Sequence, residues 1–173
     1  LPLTTARKNY RKTDKYMTAE PKKSAFRSIS FRIALTTNDD LELAVGMWLL
    51  PIVSTMLDRA LMQVDGAYIT SCRPPKNTKT GLEIYTNLRT PKAPEVTDIT
   101  EGATSYLSSI PTRAVVDVLR SFSSGDAMDS RITDFHRHAR VYIGAKQLAE
   151  VVDEDTILRI MSKLSVAVVS GHR

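Results

Sequence analysis

Residues 25–36 read AFRSISFRIALT, and residues 38–61 read NDDLELAVGMWLLPIVSTMLDRAL. The first stretch alternates. Ile29, Phe31, Ile33 and Leu35 fall on one side of an extended chain, and Ser28, Ser30, Arg32 and Ala34 on the other. A period of two with one polar side is the pattern of a half-buried strand. The second stretch changes period: Leu41, Val45, Trp48, Leu49, Ile52, Met56 and Ala60 recur at helical spacing. Asn38, Asp39 and Asp40 stand where that helix begins. Short polar side chains cap its free amides there, and carboxylates favour the positive end of its dipole. Pro51 removes a backbone hydrogen bond from the middle, so a kink or a junction of two helices near Leu50 is expected. Asp39, Asp40, Glu42, Pro51, Asp58 and Arg59 interrupt the apolar run. A membrane span needs ~20 nearly uninterrupted apolar residues, so a core helix, with Trp48 inside, is the better reading.

Working outward, Asp65-Gly66 marks a turn, and residues 67–73 and 82–89 read as strands. In the second of these, Leu82, Ile84, Thr86 and Leu88 alternate with Glu83, Tyr85, Asn87 and Arg89. The polar loop between them carries Lys76 and Lys79 next to Arg73, a local cationic cluster. Residues 90–111 are punctuated by Pro91, Pro94 and Pro111 and read as irregular, with a short strand possible at 96–99. Val96, Ile99, Tyr106 and Leu107 are too apolar for a simple spacer. An extended segment of this kind is expected either to dock on a neighbouring copy and serve self-association or to pack within its own domain as an irregular loop. Residues 112–123 read as a helix striped by Val115, Leu119 and Phe122, and residues 138–144 as a short strand. Asp153-Glu154-Asp155 caps a last helix carrying Ile157, Ile160 and Met161. Residues 166–169 fit either its continuation or a closing edge strand.

The chain has 173 residues, 42% hydrophobic and 25% charged, enough for one core. The expected architecture is α+β: a small mixed antiparallel sheet packed by two to three helices. Residues 1–24 would form a flexible basic arm and residues 25–173 a single domain. The charge is segregated. Arg7, Lys8, Arg11, Lys12, Lys15, Lys22 and Lys23 face only Asp14 and Glu20, so the arm accounts for the whole formal charge of +5. Such asymmetry is the footprint of a segment that meets nucleic acid or anionic lipid. Tyr10 and Tyr16 interleave the cations and could stack on bases.

Several chemistries lack their usual signature. The seven glycines form no phosphate-binding loop, and there is no nucleophile elbow or paired zinc motif. Cys72 is the only cysteine, which excludes an internal disulfide. No base can be assigned to activate it. His136 and His138 would need further ligands to hold zinc. With Arg131, Arg137 and Arg140 around them they read instead as a basic surface. No catalytic residue, metal or cofactor is expected.

The order of elements carries one resemblance. A Lys/Arg-rich arm leads into the aromatic-bearing strand Phe26–Leu35. A Trp-bearing helix at 41–61, an extended pair of strands through Thr86, a proline-marked middle and a late helix follow. This order resembles the matrix proteins of rhabdoviruses, in particular the shorter plant-infecting members. The resemblance implies a non-enzymatic structural protein of the virion that self-associates, condenses a nucleoprotein–RNA core and bridges it to an anionic membrane. Virion, host cytoplasm and membrane, or the nucleus, would be its locations. Pro74-Pro75-Lys76-Asn77 lacks the tyrosine of the family's Pro-Pro-x-Tyr budding motif, and Pro91-Lys92-Ala93-Pro94 is a near miss to another. No functional residue is carried over from the family. The alternative is an RNA-binding nucleocapsid or capsid-like protein whose arm neutralises nucleic acid directly. A small enzyme with an unusual site is a third reading.

Overall fold

A computed structural model describes residues 27–62, 68–72, 74–90, 96–122 and 140–172. The fold is α+β, with an antiparallel sheet and, among the described residues, five helices. Strand β1 (Arg27–Thr36) lies inside the sheet, paired with β4 (Gly81–Thr90) on one side and β5 (Leu164–His172) on the other. Strand β2 (Tyr68–Cys72) pairs with the far edge of β4, giving the order β2-β4-β1-β5. The two-residue strand β3 (Lys76–Asn77) continues along the same edge of β4. The expected open loop after residue 73 is thus partly stitched to the sheet. Gly81 holds the corner at φ 153°, and a Cβ there would lie 1.9 Å from the Leu35 carbonyl oxygen. Only glycine accommodates that backbone.

The alternation of β1 becomes the two sides of the sheet. Ile29, Phe31, Ile33 and Leu35 are buried, as are Leu82, Ile84 and Thr86 of β4 and Val166 of β5. Helix α1 (Asp40–Met62) lies on this side and runs unbroken through Pro51. Asp39 caps it, its carboxylate accepting from the Glu42 amide at 2.9 Å. Gly46 allows close approach, since a Cβ there would fall 2.6 Å from Leu35 Cδ2. Outside α1 sit α3 (Thr112–Phe122), α4 (Ala145–Val151) and α5 (Glu154–Ser162), with α3 in contact with α1, α4 and α5. Helix α1 is therefore covered from both sides, and Leu43 through Leu50 are nearly all core. This explains why its length and composition suit a membrane span although 67% of its apolar window is buried in the domain. Trp48, 2% exposed, donates from Nε1 to the Ile143 carbonyl at 2.9 Å and packs on Phe122.

Two expectations are corrected. Residues 96–109 are not an extended segment but helix α2 (Val96–Ser109), in contact with β5 and α1. Leu107 is buried in the common core and Tyr106 packs against it. Leu107 and part of Tyr106 are thereby used within their own domain. Val96 and Ile99 lie on the first turn of α2. Residues 140–144 are not a strand. They cross the helical layer, where Val141 and Ile143 pack against the core and Ile143 supplies its carbonyl to Trp48. The open question at 166–169 resolves as β5, bulged where β1 passes from Ser30 to Phe31.

Candidate nucleic-acid interface

The other side of the sheet carries no described helix. Register places its residues in rows. Arg32 of β1 pairs with Tyr85 of β4 and Ala167 of β5; Ala34 pairs with Glu83 and Ser165; Ser30 pairs with Asn87. Arg32, Tyr85, Glu83, Asn87 and Ala167 are half-buried and Ser165 is exposed, as expected of a flat surface whose side chains cover one another. Lys76 joins this side from β3. Its ammonium lies 3.5 Å from the Glu83 carboxylate and 5.2 Å from the centre of the Tyr85 ring. The Ser30 hydroxyl donates to the Asn87 side-chain oxygen. Among the described residues, no carboxylate or hydrogen-bonding group engages Arg32. Arg89 stands exposed on the same alternation. The result is a stripe running across the strands from Lys76 over Tyr85 to Arg32, bordered by small residues.

Of the cations expected to bind polyanions, Lys76 lies on this stripe. Lys79 is exposed in the turn before β4. Arg73 and the arm residues Arg7, Lys8, Arg11, Lys12, Lys15, Lys22 and Lys23 lie outside the described residues, as do Arg131, His136, Arg137 and His138. Arg140 is exposed. No group of three His, Cys, Asp or Glu side chains able to hold a metal occurs among the described residues. Sequence reading missed Arg32 and Tyr85. The polar phase of the β1 alternation was the available signal, but it did not say that Tyr85 would stand across from Arg32.

Two buried carboxylates went unnoticed as well. Glu42, 3% exposed, accepts from Lys163 Nζ at 2.6 Å, from Thr37 Oγ1 at 2.6 Å and from Arg159 Nε at 3.4 Å. Burial pushes its pKa up. The bonds from Lys163, Thr37 and Arg159, with the Lys163 charge, outweigh this and hold it below the ordinary value. This clasp ties the start of α1 to the end of α5 and is structural. Asp58, also 3% exposed, lies one turn beyond Ser54, whose hydroxyl shares a 2.6 Å hydrogen bond with Thr86 of β4. Burial alone raises the Asp58 pKa to about 7.

Comparison with protein-family models and with characterised proteins gives no match.

Proposed function

We propose that the chain is a non-enzymatic structural protein of the matrix type, which self-associates, condenses a nucleoprotein–RNA complex and meets anionic membrane through basic surface. The observation that carries this reading is the segregation of charge. Seven cations against two acids in residues 1–23 stand beside a remainder with equal numbers of each sign. A tail of that kind adds little to folding, because it holds few large apolar groups, but it focuses field on polyanions. The arrangement of arm, Trp-bearing core helix and late helix is in keeping with the resemblance to rhabdovirus matrix proteins. A second reading, an RNA-binding capsid-like protein, draws support from Arg32, which no described residue engages, beside Tyr85.

The test replaces the seven arm cations by Gln and measures binding to an RNA duplex and to phosphatidylserine vesicles across a salt series. Loss of both, with a salt slope lowered by several units, is the expected result, since each neutralised phosphate contributes roughly 0.9 to the slope on duplex DNA. Loss of RNA binding alone, in a chain indifferent to vesicles from the start, selects the capsid-like reading. Unchanged affinity and slope for both partners overturn the role of the arm. Electron microscopy of the chain mixed with RNA tests assembly, which should give regular helical or shell-like particles.

A further inference from the structure

We infer that the open side of the sheet is a seat for single-stranded nucleic acid, with Tyr85 stacking on a base and Arg32 meeting a flanking phosphate. The inference shares with the proposed function only the class of partner and does not depend on the arm.

Arg32 sits on an interior strand, with Ser30 and Ala34 before and after it on the same side and Tyr85 and Ala167 across. None of these side chains can neutralise a guanidinium. Glu83, the one carboxylate in the rows, is held by Lys76 at 3.5 Å. A half-buried cation that no described acid engages gains from a counter-charge supplied from outside. Tyr85 supplies the second element. Its ring lies between Lys76 on β3 and Arg32 on β1, strands two spacings apart, or about 10 Å. Ala34, Ala167 and Ser165, on these rows, have small side chains.

Charge and shape choose the occupant. Arg32 and Lys76 against Glu83 leave this side net positive. It therefore repels the chain's own arm, which carries a net +5, and also the same surface of a second copy. A lipid surface is met best by protruding apolar groups, whereas Arg32 and Tyr85 are half-buried in the sheet. A duplex hides its bases in the stack, out of reach of a ring in such a surface. An unpaired strand offers both a π-face and phosphates at short spacing.

The experiment uses the full chain. Fluorescence anisotropy measures its affinity for a labelled oligouridine of about 10 nucleotides, for a blunt RNA duplex of the same length and for phosphatidylserine vesicles. Tyr85→Leu and Arg32→Gln should each weaken oligouridine binding about tenfold and leave duplex binding unchanged, while Tyr85→Phe keeps the native affinity. Circular dichroism confirms that each variant is folded. If Tyr85→Leu does not fold, Arg32→Gln carries the test. Photocrosslinking of a 4-thiouridine oligonucleotide should mark the β4 peptide. Equal binding of oligouridine by the native chain and the variants overturns the inference, as does crosslinking confined to other segments. Loss of vesicle binding instead of oligouridine binding also overturns it and makes the surface a lipid site. The arm variant separates the two ideas: if the arm reading fails, duplex affinity is unaltered in that variant, yet the single-strand preference still follows Tyr85 and Arg32.

Discussion

Asp58 should make the protein less stable as pH rises through neutrality, and Asp58→Asn should remove that dependence. The carboxyl is 3% exposed, and among the described residues no hydrogen bond or ion pair reaches it. Its neighbour one turn back, Ser54, is already bonded to Thr86. Burial raises its pKa from 3.8 to about 7. Between those values the folded state holds a proton that the unfolded chain has released, so stability falls with rising pH. The slope approaches about 1.4 kcal/mol per pH unit, and the full shift amounts to about 4 kcal/mol. The loss begins above the unfolded pKa and is complete once pH exceeds the folded one. Urea denaturation of both proteins at intervals from pH 5 to pH 8 reads this directly. Histidines also titrate in that window, but they are common to both proteins and cancel in the difference. The expected result is a native midpoint that drops toward pH 8 while the Asn variant stays flatter and becomes the more stable of the two. Parallel curves would refute the reasoning and mean that Asp58 is solvated or paired when folded.

Trp48→Ala should cost about 3–5 kcal/mol in chemical denaturation, because it empties the junction between α1, Phe122 and residues 140–144; a loss below about 1 kcal/mol would contradict the packing. Glu42→Gln should cost about 1–3 kcal/mol near neutral pH, since it removes the charge that Lys163 and Arg159 share. The native pKa of Glu42 is lowered, so its contribution is present above the ordinary value of 4.5 and is lost as pH falls through the folded pKa. The difference between native chain and variant should therefore close in acid, and a gap that persists there would assign the effect to shape instead of charge.

The elements legible in the sequence are those where one physical signal dominates. In β1 the alternation from Ile29 to Leu35 and in α1 the spacing from Leu41 to Leu61 leave no rival pattern. Asp153, read as a cap, accepts from the Thr156 amide at 2.7 Å. Helix α2 was hidden by conflict. Its Thr, Ser and Gly content argues against a helix, and the nearby Pro94 and Pro111 suggested an extended chain. Yet Val96, Ile99, Ala103, Tyr106, Leu107 and Ile110 keep helical spacing, and the prolines lie just outside the element. Burial of Ala103, Leu107 and Ile110 against the rest of the core outweighed weak propensity. At 140–144 the error ran the other way: Val141 and Ile143 alternate like a strand, but no sheet edge receives them. Helix α4, seven residues with Leu148 as its buried anchor, is too short for periodicity to announce it.

The open side of the sheet was only half legible, and the missing half is topological. Alternation already set Arg32 opposite Phe31 in β1. It could not tell whether a second layer would cover the polar phase. The register that puts Tyr85 across from Arg32, and the placing of β3 so that Lys76 flanks the same ring, required the fold. Once both are known, the row is hard to explain by stability. A sheet selected only to fold would set an acid across from Arg32, gaining a cross-strand pair worth up to about 1 kcal/mol. Here the acid, Glu83, is one row away and occupied by Lys76. Arm and sheet then differ in physics. On these proposals the arm would act through charge over many phosphates and weaken steeply with salt. The sheet would add base stacking to fewer phosphate contacts, and so a smaller salt slope. In high salt the preference for an unpaired strand should outlast affinity for the duplex, so ionic strength alone can divide the two surfaces before any residue is changed.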